Sequence, residues 1–475
     1  MFGDVTGGDA IVNKATLGVF GNSELGSLAL GSTLAMQNGV INNLNVGTFS
    51  LNADSNFTFD VDPRSGLTDT INAETFTNAG DSNLLVTGIS LTQAPTSGSF
   101  NIDLSNVLTA ENGDTTGVIK VEDSIIANTQ MGRYLISSAG SGNAVLTASL
   151  MSINPQMYRG QVATLASWQN QLVVNNMLFD HMAVLGRQLM DDAKTANLKA
   201  AAYPQFAPYQ YSVKDGSLWY KAYGNFERLS MTKGLSVGNN AYGSLIGADF
   251  PLVDLKNGWK LVPTAYVGYN GAHQHFDGVS MYQNGAQLGL MGTAYKNDFL
   301  TSLLAYAGGY GNDMTVKGVL GNASDTTGNW FAGVASKSAY NFHIAKDLIF
   351  QPTAMVAYNA FGGQNWGSNF GTMSMSTGML NGLNMAPGFN LILNKKSFSL
   401  YATAQMVYNL MGGVDGTAGN VDLGYVRMRH SYFEYGLGVM KQFKDRFNGY
   451  LQFTIRNGGR TGIGFQGGIQ IKVGK

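Results

Sequence analysis

The feature that most constrains the fold is a long C-terminal run in which apolar and polar residues alternate. From Ser217 onward, apolar side chains recur at every second position, which is the pattern of β-strands with one apolar and one polar face. In 397–410, the apolar positions are Phe398, Leu400, Ala402, Ala404, Met406 and Tyr408. Twelve strands are predicted, at 217–229, 240–252, 259–271, 284–296, 299–312, 327–341, 348–361, 379–394, 397–410, 425–443, 446–457 and 460–473.

The connections between these strands alternate in kind. Five are short and mostly charged: Asp254–Gly258, Lys296–Asp298, Asn341–Asp347, Asn394–Lys396 and Lys444–Arg446. Of the rest, all but Asn457–Arg460 are expected to be long, including 313–326 and 362–378. Short turns at one end and long loops at the other are typical of an outer-membrane β-barrel with its short turns in the periplasm. The alternative, a soluble up-and-down barrel, rarely needs strands this long with one wholly apolar face.

Composition agrees with a lipid-facing surface and excludes several function classes. Only 12% of the residues are charged, whereas about 25% is usual in soluble domains. The net charge of −1 argues against a nucleic-acid partner, because phosphate binding needs a basic surplus. The charge is uneven: residues 1–150 hold 4 Lys/Arg and 14 Asp/Glu, a net of −10, and the remainder carries +9. With zero cysteines, a disulfide framework and a thiolate nucleophile are both excluded.

Residues 1–150 differ from the C-terminal run. Short apolar alternations are punctuated by Gly and Asn, as in "ATLGVFGNSELGSLALGSTLAMQNGVINNLNVGTFSLNADSNFTFDVD". Turn signals this frequent predict the short stacked strands of a parallel β-helix. An ordinary β-sandwich is the alternative, although its strands are usually spaced more widely.

Residues 155–198 are the one helical segment in the pattern. Pro155 suits a helix start, and apolar residues recur at three- and four-residue steps. Val162 to Asp192 would span roughly 46 Å at about 1.5 Å per residue. Several polar residues interrupt the apolar pattern, which suits a polar lumen: Asn170, Asn175, Asn176, Asp180, His181 and Arg187. The following stretch, 199–216, contains two prolines and is interpreted as a spacer.

This order of segments resembles the monomeric (type V) autotransporters of the adhesin type. "NPQMYRGQVATLASWQNQLVVNNMLFDHM" (154–182) is similar to their pre-barrel linker. "SLWYKAYGNFERL" (217–229) with "GSLIGADF" (243–250) is similar to their first barrel hairpin, and "SLNADSNFTFDVDPRSGLTDTINA" (50–73) to the last coils of their passengers. The resemblance implies an all-β fold in three parts: the C-terminal part of a β-helical passenger at 1–150, a linker α-helix inside the barrel at 155–198, and a 12-stranded antiparallel transmembrane β-barrel at 216–475.

The resemblance also implies a function and partners. The barrel would export, anchor and display its own passenger at the bacterial cell surface, and adhesion is the default role of such a passenger. The expected partners are outer-membrane lipid, the outer-membrane barrel assembly machinery and periplasmic chaperones, with a monomeric chain. The alternative is a passive outer-membrane pore, or a surface-structural barrel, carrying a β-helical cap. No cofactor and no metal are predicted.

The two ends of the chain depart from what an exported family member would show. "MFGDVTGGDA" lacks the basic and apolar regions of a secretory signal, so a fragment or a processed form is expected. Members of the family usually end on an aromatic residue, whereas this chain ends Val473-Gly474-Lys475. We therefore expect either an atypical assembly signal or a natural terminus beyond Lys475.

Some family members release their passengers by cleaving the pore helix at an Asn-Asn pair. Asn175-Asn176 lies in the middle of the predicted helix, and the strand pattern points Glu227, Asp249 and Glu434 inward as candidate bases. The residues after the pair are apolar here, Met177 to Phe179, where the family motif is polar and basic. A structural role for the pair, hydrogen bonding to the pore wall, is therefore favoured over self-cleavage, and no other catalytic site is predicted.

Overall fold

The computed structural model describes residues 5–138, 144–198, 216–318, 321–368, 373–395, 398–444 and 447–473. Strands dominate these residues and a single long helix interrupts them. The strands before the helix are β1 Val5–Thr6, β2 Asp9–Gly18, β3 Ser23–Ala35, β4 Asn43–Leu51, β5 Ser55–Val61, β6 Thr70–Asn78, β7 Leu84–Leu91, β8 Ser99–Asp103, β9 Leu108–Asn112, β10 Ile119–Val121, β11 Ile125–Asn128, β12 Gly132–Ser138 and β13 Val145–Ile153.

The N-terminal strands stack in two parallel ladders. In the first ladder β3 pairs β4, β4 pairs β6 and β6 pairs β9. In the second, the end of β3 pairs β5, β5 pairs β7 and β7 pairs β10. The registers stack buried apolar side chains over one another, as in the column Leu28, Phe49 and Phe76. Removing such columns from water is the main favourable term for a coil of short strands.

A small antiparallel sheet lies between these ladders and the helix. Its order is β11-β12-β13-β8. The last strand before the helix, β13, thus pairs with β8, which lies in the middle of the N-terminal region. Tyr134 of β12 is fully buried, and its hydroxyl donates to the Ser97 carbonyl oxygen at 2.8 Å.

The helical segment starts with a 3₁₀ turn, Pro155–Tyr158, and continues as helix α1, Arg159–Leu198. From Met157 to His181 nearly every side chain is buried, polar and apolar alike. A helix buried on every side must be surrounded by protein, and here a strand wall surrounds it. No helix among the described residues is long and apolar enough to span a membrane.

After the helix the strands are β14 Ser217–Ser230, β15 Ser236–Asp249, β16 Val253–Asp254, β17 Lys260–Phe276, β18 Val279–Lys296, β19 Phe299–Gly318, β20 Gly321–Tyr340, β21 Phe342–Ala345, β22 Leu348–Phe361, β23 Gln364–Ser368, β24 Met373–Thr377, β25 Leu380–Asn394, β26 Phe398–Met411, β27 Gly413–Val414, β28 Gly416–Ala418, β29 Val421–Asp422, β30 Val426–Arg427, β31 Ser431–Lys444, β32 Phe447–Gly458 and β33 Arg460–Lys472. A 3₁₀ turn, Lys256–Gly258, lies between β16 and β17.

Twelve of these strands close into an antiparallel barrel. The order is β14-β15-β17-β18-β19-β20-β22-β25-β26-β31-β32-β33, and β33 pairs back onto β14. The predicted all-β fold, with twelve antiparallel strands and one helix, is confirmed. Over the height at which all twelve described strands pair with both neighbours, the sheet has no open edge, which is the condition for a sheet placed in lipid.

The connections differ from the predicted ones at the end of the barrel nearest the N-terminal strands. Two connections that the sequence predicts to be long are largely strand instead. Only Asp277 and Gly278 join β17 to β18, and β19 and β20 continue through most of 313–326 as a tall hairpin. Met314, Val316 and Ala323 are buried on one face of this hairpin, so the period of two continues beyond the predicted strand ends. The connections that remain long are 362–379 and 412–430, and they fold into a four-stranded sheet of order β23-β24-β28-β29 and the pair β27–β30.

The outer surface of the barrel is apolar. Large aliphatic side chains are more than half exposed along it, including Leu218, Ile246, Val267, Leu288, Leu290, Leu303, Leu437 and Leu451. The inward positions of the same strands carry buried Asn, Gln, Thr, Glu and Arg. This arrangement is the inverse of a water-soluble protein.

Candidate functional site in the barrel lumen

The start of α1 is held by the wall and by the long connections. The Arg159 guanidinium donates from Nε at 3.0 Å and from Nη2 at 2.6 Å to the Asp325 carboxylate of β20. The Gln161 amide nitrogen donates to the carbonyl oxygens of Val414 and Gly424 at 2.8 and 2.7 Å. These contacts fix the point at which the chain enters the barrel.

A glycine permits the closest contact at this entrance. A Cβ atom on Gly160 would lie 2.2 Å from the Trp366 ring, well inside van der Waals contact. Trp366 belongs to β23, in the first long connection, and is buried. The connections at 362–379 and 412–430, which we call the loop cap, therefore pack directly on the helix.

A buried ionic network crosses the middle of the lumen. The Arg460 guanidinium donates from Nε at 2.5 Å and from Nη2 at 2.7 Å to the two oxygens of Glu227, and neither side chain is exposed. The Arg456 side chain lies between the carboxylates of Glu227 and Glu434, at 3.4 and 2.5 Å. Arg460 also donates from Nη1 to the Gln169 carbonyl oxygen at 2.8 Å, which couples the network to the helix backbone.

The two asparagines of the predicted cleavage pair face different surroundings. The Asn175 amide donates to the Tyr306 hydroxyl at 2.9 Å, and Tyr306 in turn donates to Asn359. Asn176 borders a narrow polar cavity that Glu434 and Arg456 also line, and its Oδ1 accepts no hydrogen bond from the described residues.

The candidate bases form other pairs. Glu227 and Glu434 are bound by arginines, as described above, and Asp249 lies farther along the helix beside His181. Among the described residues, no hydrogen bond joins any of the three carboxylates to Asn175 or Asn176. In this arrangement Asn175 is hydrogen-bonded to the wall, and the three carboxylates pair with arginines or with His181.

Asp249 is the centre of a second cluster, nearer the other end of the barrel. The His181 Nε2 lies 2.9 Å from its Oδ2, and the Ser217 hydroxyl donates to the same oxygen at 2.5 Å. Trp219 and Thr264 donate to its Oδ1 at 3.2 and 2.9 Å. Three barrel strands and the helix thus meet at one buried carboxylate.

The remaining polar positions of the helix contact the wall as well. Asn170 exchanges side-chain hydrogen bonds with Asn239, the shorter at 2.8 Å. Asp180 accepts from Lys337 at 3.4 Å and from Gln466 at 3.3 Å. Arg187 belongs to α1, and its side chain lies outside the described residues.

Sequence reasoning missed the cationic side of the lumen. Lys221, Arg456 and Arg460 are buried, and Lys221 donates to the Met177 carbonyl oxygen at 2.8 Å. The sequence signal that could have identified these three residues is a charged side chain at an inward-facing strand position, because each of them alternates with outward-facing residues.

The described part of the chain holds no cluster of side chains that could bind a metal ion. Groups of three or more His, Asp or Glu side chains in ligating arrangement are absent there. His273 and His275 lie on the outer face of β17, where their ring centroids are 6.1 Å apart. Asp60 accepts hydrogen bonds from the backbone N–H groups of Asn38 and Gly39, so in this structure it is part of a turn.

Comparison with known proteins places the barrel in a family. Residues 218–454 match the family model described as the autotransporter β-domain. The solved translocator domain of NalP from Neisseria meningitidis is 14% identical, with a TM-score of 0.46, 64% of this chain and 99% of that one covered. The transport unit of AIDA-I from Escherichia coli is 13% identical, with a TM-score of 0.45 and coverage of 61% and 98%.

The β domain of the Bordetella autotransporter BrkA is 16% identical, with a TM-score of 0.40 and coverage of 55% and 100%. No curated protein matches the chain in sequence. The family match runs from β14 into β32 and so covers the barrel that surrounds α1 except for the end of β32 and the closing strand β33. The C-terminal barrel therefore belongs to the autotransporter β-domain family.

Proposed function

We propose that the chain is a type V secretion translocator, which inserts in the bacterial outer membrane and exports, anchors and displays its own N-terminal segment. One observation carries this proposal: a helix continuous with the N-terminal strands lies inside a closed barrel and contacts its wall along the lumen. A chain that had crossed the membrane through this barrel would be left in that position.

The outer face of the barrel supports a location in lipid. A charged side chain facing lipid costs about 2–4 kcal/mol at the bilayer midplane, and the band holding Leu288, Leu303 and Leu437 carries leucines instead. Soluble monomers rarely expose apolar patches of more than a few hundred Å². Lipid is therefore the proposed solvent of this surface.

The filled lumen favours a translocator over a passive pore. Arg159 and the loop cap hold the helix at one end, Arg460 holds it in the middle and Asp249 holds it toward the other end. A pore that serves diffusion needs an open path, and these contacts occupy the centre of the barrel.

Planar-bilayer conductance tests this proposal. The full chain should conduct poorly, and deletion of 155–198 should raise the single-channel conductance several-fold because it empties the lumen. An equally high conductance of both chains, each shown to be inserted, would favour the passive pore and contradict the proposal.

The N-terminal segment is proposed to be the C-terminal part of a β-helical passenger with an adhesive role at the cell surface. The two parallel ladders, β3-β4-β6-β9 and β3-β5-β7-β10, support the β-helical part, because each coil buries its apolar column against the next. Outer-membrane lipid, the barrel assembly machinery and periplasmic chaperones are the proposed partners of a monomeric chain.

We propose further that the tether remains uncleaved. Asn175 is hydrogen-bonded to Tyr306, and the carboxylates of Glu227 and Glu434 form ion pairs with arginines. The purified wild-type chain should run as one band of full length on a denaturing gel after prolonged incubation. Two bands that merge into one on Asn175→Asp or Asn176→Asp substitution would show self-cleavage instead.

A further inference from the structure

The outer face of the barrel carries a patch of one arginine and two histidines at the end nearest the N-terminal strands. Arg228 of β14 pairs with Gly238 of β15, Gly238 pairs with His275 of β17, and His275 pairs with Ser280 of β18. These four residues form one row across neighbouring strands. Arg228 and His275 are exposed, and they alternate with buried inward residues, so their side chains point outward. We call Arg228, His273, His275 and Ser280 the rim patch.

Gly238 brings the Arg228 and His275 side chains of this row together. A Cβ atom on Gly238 would lie 2.4 Å from the His275 Nε2, so the imidazole covers the glycine and extends toward the strand that carries Arg228. Neighbouring strands are about 4.8 Å apart, which puts the backbones of Arg228 and His275 only about 10 Å apart. An arginine side chain can reach across that distance to share one anion with the imidazole.

His273 lies one row nearer the middle of the barrel, and its ring is held in place by two neighbours. Its ring stacks on Tyr282 with centroids 4.4 Å apart and an interplanar angle of 1°, and its Nε2 lies 3.0 Å from the Ser280 hydroxyl. The His273 and His275 rings are 6.1 Å apart. These contacts hold the His273 ring in place before any ligand arrives, which lowers the entropic cost of binding.

Exposed aromatic residues mark the membrane level of the rim patch. Phe226, Tyr242, Tyr269 and Tyr282 lie next to it on the side of the apolar band, and each is more than 40% exposed. Such belts lie at the headgroup level of a bilayer. The nearest exposed carboxylates on these strands are Asp277, in the turn after β17, and Asp313, which faces Tyr282 from β19. Neither lies between Arg228 and His275.

We propose that the rim patch binds the phosphate of an outer-leaflet lipid headgroup. Guanidinium and imidazole groups are donors suited to phosphate oxygens, and the aromatic residues beside them suit the start of the acyl region. The inference rests on the proposed outer-membrane location and orientation, which put this barrel end in the outer leaflet.

Native mass spectrometry of the full chain, released from vesicles that contain lipid A or dephosphorylated lipid A, tests the proposal. The wild-type chain should retain lipid A about tenfold more than the dephosphorylated form, as expected from two or more charge-assisted hydrogen bonds. The triple variant Arg228→Gln, His273→Gln, His275→Gln should retain both lipids equally. Lys441→Gln, which removes an exposed outward cation at the other barrel end, should behave as wild type.

Equal retention of both lipids by the wild-type chain, or an unchanged preference in the triple variant, would overturn the proposal. Inorganic phosphate competes for the same donors, so displacement of lipid A is expected only far above the lipid concentration. Displacement by an equimolar amount of inorganic phosphate would identify a soluble anion as the ligand and would also overturn the proposal. Flotation of each chain with the vesicles is measured in parallel. A chain that fails to float contradicts the proposed membrane location, whereas a chain that floats without lipid preference contradicts only the rim-patch assignment.

Discussion

The buried pair of Arg460 and Glu227 allows the sharpest energetic prediction. Replacement of Arg460 by Met removes both hydrogen bonds to Glu227, at 2.5 and 2.7 Å, and the one to the Gln169 carbonyl oxygen at 2.8 Å. Glu227 then keeps Asn239 at 3.0 Å and the longer contact with Arg456 at 3.4 Å. The carboxylate stays buried with about half of its partners.

Removing one partner of a buried ion pair usually costs about 3–5 kcal/mol. Because Asn239 and Arg456 remain, we expect the lower half of that range for Arg460→Met, about 3–4 kcal/mol of unfolding free energy. The double variant Glu227→Met, Arg460→Met removes the stranded charge and should cost no more than about 1–2 kcal/mol. The two substitutions are therefore predicted to compensate each other.

Urea unfolding in detergent micelles, followed by tryptophan fluorescence, measures these differences as a double-mutant cycle. Arg429→Met is the matched control, since Arg429 is exposed, and it should change stability by less than about 0.5 kcal/mol. If Arg460→Met costs less than about 1 kcal/mol, or if the double variant costs the sum of the single ones, the buried network does not hold the helix and wall together as described.

Three further predictions concern other parts of the molecule. Gly160→Leu should displace Trp366 and make the loop cap more sensitive to protease. Adding Trp366→Ala to the Gly160→Leu chain should restore part of the resistance. If Gly160→Leu leaves the digestion pattern unchanged, the close packing is refuted. Burial raises the pKa of the Asp69 carboxyl from 3.8 to about 7, aided by the nearby Asp60 carboxylate and opposed by the N–H groups of Asp60 and Asn42. The folded state therefore binds this proton more tightly than the unfolded chain, so the associated stability is complete below pH 3.8 and is lost as the pH rises through about 7. Hydrogen exchange of β5 to β7, corrected for intrinsic rates, should accelerate over that pH range, and Asp69→Asn should weaken the dependence; equal dependence in both chains would contradict it. Asp249→Ala should loosen the helix near His181 and raise the single-channel conductance in planar bilayers. Asp254→Ala is the control, because Asp254 is exposed and lies at the same end of the barrel, and it should leave the conductance unchanged.

The barrel could be predicted from the sequence because its determinant is local. Each strand needs one lipid-facing and one lumen-facing side, so a period of two is imposed along the whole strand, as in Leu218, Tyr220 and Phe226. Strand ends were less predictable. The hairpin of β19 and β20 continues above the apolar band, where residues such as Thr315 and Ser324 resemble a loop in composition.

The lumen contacts could not be predicted because they depend on register and on the rotation of the helix. The central position of Asn175 and Asn176 in the helix is visible in the sequence. Tyr306 contacts Asn175, and Asn359 accepts from Tyr306, only because β19 and β22 bring these side chains to the same height in the barrel. Likewise, the inward direction of Glu227 follows from alternation, whereas its pairing with Arg460 requires closure of the first strand onto the last.

Surface labelling in intact cells tests the central claim most directly. With a secretory signal fused to the chain, an epitope placed in the exposed turn between Gly80 and Asp81 should bind an impermeant antibody without permeabilisation. The same chain lacking 216–475 should bind it only after the outer membrane is opened. If the epitope stays hidden in intact cells although the barrel is folded in the outer membrane, the barrel does not export its own N-terminal segment.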